Sequence, residues 1–184
     1  MKMQLEHGRP LEEKGREMRE IRCYDLLDRL GIDFWRVDHD AARIMEDCAA
    51  ADALLGEDTA ICKNLFLRNS KGDQYFLLML PGDKKFKTKE VARQIGSTRL
   101  SFGDEGQMAE FLDILPGSVS VMGLMNDHEN RVELLMDEDI LKLPYVGCHP
   151  CMSTTSLKMT VADLMEKFLP AVHHTPRMVT LYGE

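Results

Sequence analysis

Three groups of residues in this sequence are of types and spacings that could do chemistry. The first is Lys63, within Ile61-Cys62-Lys63-Asn64-Leu65-Phe66-Leu67. Alternate residues of a strand share a face, so Lys63 falls in line with Ile61, Leu65 and Leu67, the face expected against the core. An ammonium group there must find a partner, lose its proton or open onto a pocket, which suits a site for an anionic ligand. A strand-end lysine whose stem lies on apolar surface and whose charge reaches water fits the same pattern.

The second group is Gly147-Cys148-His149-Pro150-Cys151. Two thiols in C-x-x-C spacing are the arrangement of disulfide oxidoreductases, where a helix N-terminus acidifies the first thiol. They could also supply two zinc ligands, with His173-His174 as the nearby histidine pair. The hydroxyl-rich, β-prone residues 152–157 promise no helix, and no second C-x-x-C completes a zinc set. Neither chemistry is favoured, and His149 stands on its own as a general base, an orienting donor or a hydrogen-bonded loop histidine.

The third group is Lys84-Lys85-Phe86-Lys87-Thr88-Lys89-Glu90-Val91-Ala92-Arg93, with five basic residues to one acidic. Such a cluster can follow phosphates while Phe86 stacks on a base, or it can be a solvated helix face. Pro116-Gly117-Ser118-Val119 is a tight loop able to present backbone N–H groups.

Holding these residues in place requires regular elements. Hydrophobic spacing predicts a helix over 11–30 stopped by Gly31, a strand over 34–37, and an Ala-rich helix over 44–55 capped by Asp40 or a neighbour. Residues 60–67 and 74–80 read as a hairpin turned by 69–73, the second arm apolar on both faces and so central. Helices are expected over 88–95, 104–112 and 161–169, the last ended by Pro170. Further strands are expected at 119–121, 132–136, 145–147, 156–159 and 178–181. Strands and helices mix without strict βαβ alternation. That predicts an α+β fold, a mixed β-sheet or barrel-like core surrounded by helices.

Composition narrows the function classes. A chain of 184 residues with 44% hydrophobic and 29% charged residues can bury one substantial core. Thirty-one acidic against 23 basic residues give a net charge of −8, which argues against broad adhesion to DNA or anionic lipid. Five cysteines, an odd number, do not suit a secreted disulfide framework, and the 13 methionines are best read as core filling. The longest apolar run, at 75–80, is far too short to cross a membrane, and the start lacks the apolar stretch of a secretory signal. A cytoplasmic location is expected.

Several segments, in this order, resemble one family: the bacterial prolyl-tRNA synthetase editing domains and their free-standing relatives, the YbaK/ProX group, in particular its trans-editing alanyl-tRNA(Pro) deacylases. They are Tyr24-Asp25-Leu26-Leu27-Asp28-Arg29-Leu30-Gly31-Ile32, Cys62-Lys63-Asn64-Leu65-Phe66-Leu67, Gly82-Asp83-Lys84-Lys85, Arg99-Leu100-Ser101-Phe102, Leu115-Pro116-Gly117-Ser118-Val119, Gly123-Leu124-Met125-Asn126-Asp127 and Val146-Gly147-Cys148-His149-Pro150. The resemblance runs from about Ile21 to Leu181 and divides the chain into an N-terminal extension, 1–20, with part of the first helix, and one editing domain, 21–184.

It implies hydrolysis of the ester joining a wrong amino acid, alanine foremost, to tRNA(Pro), with neither metal nor cofactor. The family's essential lysine falls on Lys63, its neighbouring asparagine on Asn64 and its pocket histidine on His149. The substrate loop falls on Gly117 to Val121, with Gly117, Ser118, Val121 and Gly147 expected at the amino acid. Val121 stands where the family carries proline, and Met122 where it carries an aromatic residue. Lys84, Lys85, Lys87 and Lys89 are expected on the tRNA acceptor end, and prolyl-tRNA synthetase is a candidate partner. The same fold acting on Cys-, Ser- or Thr-tRNA, a non-catalytic tRNA- or amino-acid-binding regulator, and a thiol-disulfide exchanger are the competing expectations.

Overall fold

The computed structural model describes residues 3–40 and 45–183. Its strands are β1 (Leu5–His7), β2 (Phe34–Asp38), β3 (Thr59–Asn69), β4 (Tyr75–Pro81), β5 (Leu100–Phe102), β6 (Val132–Asp137), β7 (Tyr145–Cys148), β8 (Thr155–Thr160) and β9 (Arg177–Val179). They form one mixed sheet in the order β1-β2-β8-β7-β3-β4-β6-β9, with β5 joined to β3. The pairs β3–β7, β4–β6 and β6–β9 are parallel and the others antiparallel. The helices are α1 (Met18–Arg29), α2 (Met45–Leu55), α3 (Thr88–Ile95), α4 (Glu105–Leu112) and the short α5 (Val161–Asp163) and α6 (Leu169–Ala171). The expected α+β architecture, a mixed sheet surrounded by helices, is what forms.

One face of the sheet carries the main core. Phe66, Leu77, Met79, Leu134, Val146 and Leu157 pack there against Tyr24 and Leu27 of α1, Phe111 and Leu112 of α4, and Phe168. The other face is covered in two separate places. Under α3, Val91 and Ile95 bury Leu67, Phe76, Leu78 and Leu80. Under α2, Ala51 and Leu55 bury Val37, with Ile61 packed alongside. The strand β4 is buried on both faces, as its unbroken apolar run requires.

Several local expectations are corrected. Residues 11–17 are not helical, because Gly15 adopts φ +86° in a turn and α1 begins only at Met18. Residues 119–121 are not a strand. Ser120 caps a 3-10 helix, Val121–Asn126, by accepting from the Met122 N–H, so the hydroxyl decides against β-propensity. Pro170 does not end the last helix. A wide π turn, Leu164–Phe168, precedes it and relaxes the hydrogen-bond ladder where the proline lacks its N–H. The strands β1 and β5, three residues each, were too short to announce themselves. The expected cap of α2 lies partly outside the described residues.

Candidate active site

On the second face Ile61 belongs to the core under α2 and Leu65 to the core under α3, so Lys63 stands at the seam between them. The expectation of a single core behind Lys63 is therefore corrected. The main core lies on the opposite face, with Cys62 and Phe66. The edge of β3 opens at the same place. β7 pairs with β3 only as far as Ile61, and β5 takes over only at Leu67, with the Gly103 N–H donating to the Phe66 carbonyl between them. Ile61 turns its carbonyl toward β4, where the Gly82 N–H meets it at 2.8 Å. Alternation then directs the backbone N–H and C=O of Asn64 into the opening. The Asn64 side chain lies on the other face from Lys63, and its buried Oδ1 has no hydrogen-bond partner among the described residues.

The Lys63 ammonium donates to the Lys84 carbonyl at 2.7 Å. Among the described residues that leaves two of its three N–H donors for a ligand. Lys84 turns inward. Its ammonium is held by Asp137, which is fully buried, and by Asp139, each at 2.8 Å. These two carboxylates raise the Lys84 pKa against the opposing effect of burial. Its charge is thus satisfied inside the protein, whereas Lys85, Lys87 and Lys89 are exposed.

His149 follows the end of β7, in line with Ile61, Lys63 and Gly147 on the α2 side of the sheet. Its Nδ1–H donates to the Thr155 carbonyl at 2.8 Å, which leaves Nε2 as an acceptor. Burial pushes its pKa down, so the ring is neutral at neutral pH. Gly147 lets α2 approach, since a Cβ there would meet Leu55 at 3.1 Å and Ile61 at 3.2 Å.

The loop from Gly117 to Val121 reaches this histidine through Ser120, whose hydroxyl donates to the His149 carbonyl. Gly117 adopts φ +85° in a tight exposed turn. Ser118 is buried and its N–H is already given to the Leu115 carbonyl at 3.1 Å, whereas the amides of Gly117 and Val119 have no acceptor among the described residues. Val121 is fully buried in the main core.

The C-x-x-C segment does not meet the needs of a redox motif. β7 ends at Cys148 and the chain turns through Cys151, at φ +62°, into β8, with no helix to acidify a thiol. Burial pushes the Cys148 thiol up to about 12, the opposite of activation. Cys151 packs its Sγ 3.6 Å from that of Cys23 inside the main core.

Two residues near His149 escaped the sequence reading. The His39 ring centroid lies 6.4 Å from that of His149, and its ring nitrogens meet the Asp40 carbonyl and the Ser156 hydroxyl. Asp52 lies on α2, half-buried, in a field set by both histidines. A lone acid inside Cys48-Ala49-Ala50-Ala51-Asp52-Ala53-Leu54-Leu55 was the available signal.

Comparison with known proteins bears on this geometry. Residues 40–167 match the family described as the aminoacyl-tRNA editing domain. The chain belongs to that family. It is 32% identical over 155 residues to the prolyl-tRNA editing protein ProX of Acetoanaerobium sticklandii, covering 84% of this chain and 93% of that protein. It is 27% identical to the prolyl-tRNA synthetase associated domain-containing protein 1 of Danio rerio, covering 83% and 82% of the two chains. A solved structure described as a candidate trans-editing enzyme for prolyl tRNA synthetase superposes with a TM-score of 0.66 at 20% identity, covering 90% of this chain and 97% of that one, and shows the shared fold. As an editing domain the chain is an aminoacyl-tRNA deacylase, a hydrolase of ester bonds. No helix among the described residues is long and apolar enough to cross a membrane.

Proposed function

We propose that this editing domain works in trans in the cytoplasm, removing alanine from mischarged tRNA(Pro) made by prolyl-tRNA synthetase. The observation that carries this reading is Lys63, a cation with spare donors at the seam between two small cores, beside the open edge of β3. The ProX relative supports tRNA(Pro) as the carrier.

An aminoacyl ester is already reactive, so catalysis needs a placed water, stabilisation of the developing oxyanion and a grip on the terminal adenosine. Lys63 engages the terminal phosphate or ribose. Asn64 and the amides of Gly117 and Val119 orient the ester carbonyl. His149, protonated on Nδ1, accepts through Nε2 from the attacking water, and the neighbouring ribose hydroxyl of the tRNA helps to activate that water. Lys85, Lys87 and Lys89 hold phosphates of the acceptor end. Selection works by size. A synthetase cannot strongly reject an amino acid smaller than its own, whereas a small editing pocket excludes proline.

Release of labelled amino acid from Ala-, Cys-, Ser- and Pro-tRNA(Pro) tests the assignment. Rapid loss from the alanyl ester with Pro-tRNA(Pro) spared is expected. Preference for the cysteinyl or seryl ester would reassign the substrate.

A further inference from the structure

The deacylase chemistry above leaves one charged group beside the site unused. Asp52 lies one helical turn before Leu55, and Leu55 packs over Gly147, two residues before His149. The carboxyl of Asp52 is half-buried. Its desolvation outweighs the compensating pull that His149 and His39, the titratable groups that act on it among the described residues, would exert, so its pKa is raised. Neither histidine is a good counter-ion. His39 has both ring nitrogens engaged by Asp40 and Ser156. His149 is held neutral by burial, with its one N–H given to Thr155.

A carboxylate drawn partly out of water, with no cation on it among the described residues, is poised to receive one. The substrate brings it. Every aminoacyl ester carries an α-amino group one carbon from the scissile carbonyl, cationic when protonated. We infer that Asp52 receives the α-ammonium of the ester-linked amino acid and is a specificity residue of the editing site. This rests on the deacylase reading and deepens it. With the ammonium at Asp52 and the carbonyl at the amides of Gly117 and Val119, two points of the amino acid are fixed and the direction of its side chain follows. His149 Nε2 is then left for water.

The test compares alanyl-tRNA(Pro) with lactyl-tRNA(Pro), in which a hydroxyl replaces the amino group, under single turnover. Rates of Asp52→Asn and Asp52→Ser are divided by the wild-type rate on the same ester, and thermal melting checks that both variants are folded. Losing a charge-assisted contact should slow the alanyl ester about tenfold to a hundredfold. The lactyl ester should stay within about twofold of wild type. Equal slowing of both esters, or no slowing of the alanyl ester, would overturn the inference. Wild type that releases neither alanine nor lactate would overturn the alanyl-tRNA(Pro) reading itself, and Asp52 with it.

Discussion

Lys63 and Lys84 are coupled side chain to backbone: the Lys63 ammonium donates to the Lys84 carbonyl at 2.7 Å, while the Lys84 ammonium is clamped by Asp137 and Asp139. The segment that bears Lys84 is therefore anchored to the end of β6 by buried charge. The same anchor fixes the acceptor that aims Lys63. Asp137 also accepts from the Leu181 and Asp139 N–H groups, so one carboxylate ties together three parts of the chain.

Removing Lys84 leaves Asp137 buried without its cation. Lys84→Met should lower unfolding free energy by about 3 to 5 kcal/mol, the usual consequence of stranding one partner of a buried pair. Urea denaturation measures this. A loss under about 1 kcal/mol would show that Asp137 is compensated by backbone N–H groups alone. Deacylation should fall as well, because the carbonyl that holds Lys63 loses its anchor.

How much of this was legible in the sequence depended on how local the cause was. The misplaced charge of Lys63 follows from strand alternation alone, and the central position of β4 from its unbroken apolar run. The inward turn of Lys84 was not legible, because its partners lie more than fifty residues away, at the end of β6 and in the 3-10 turn after it. Asp52 and His39 were missed for a similar reason: α2 and the end of β2 meet His149 only once the sheet order β2-β8-β7 is known. The Val121 segment misled because the two valines at 119 and 121 outweighed the capping Ser120 between them in the pattern, though not in the fold.

A second buried pair makes stability depend on pH. His174 Nε2 lies 2.9 Å from Asp127, which raises the histidine pKa and helps to lower that of the aspartate. The contribution of His174 is complete below its unfolded value of about 6.5 and is lost as pH rises through its raised folded value. That of Asp127 is complete above about 3.8 and is lost as pH falls through its lowered folded value. Urea midpoints should therefore decline on the alkaline side for wild type, and more weakly for His174→Asn. Parallel profiles would contradict the linkage.

Exposed lysines should appear in the salt dependence rather than in the chemistry. Replacing Lys85, Lys87 and Lys89 together by alanine should leave the maximal single-turnover rate within about threefold. It should make the fall of tRNA affinity with salt shallower by about 2 to 3 in logarithmic slope. Fluorescence titration at several salt concentrations reads this directly. An unchanged slope would place the acceptor end elsewhere.

The cysteines should prove dispensable for turnover. Cys148→Ala with Cys151→Ala is expected to cost about 1 to 2 kcal/mol in core packing and to keep deacylation within about twofold. Loss of activity in a folded double variant would return these thiols to the mechanism.

The central claim is that Lys63 acts on the ester-linked tRNA end. Its most direct test is single-turnover release of alanine from Ala-tRNA(Pro) by wild type beside Lys63→Ala, with thermal melting of both. The account predicts rapid release by wild type and release at the uncatalysed rate by a variant that melts as wild type does. A folded Lys63→Ala protein that deacylates at the wild-type rate would contradict it.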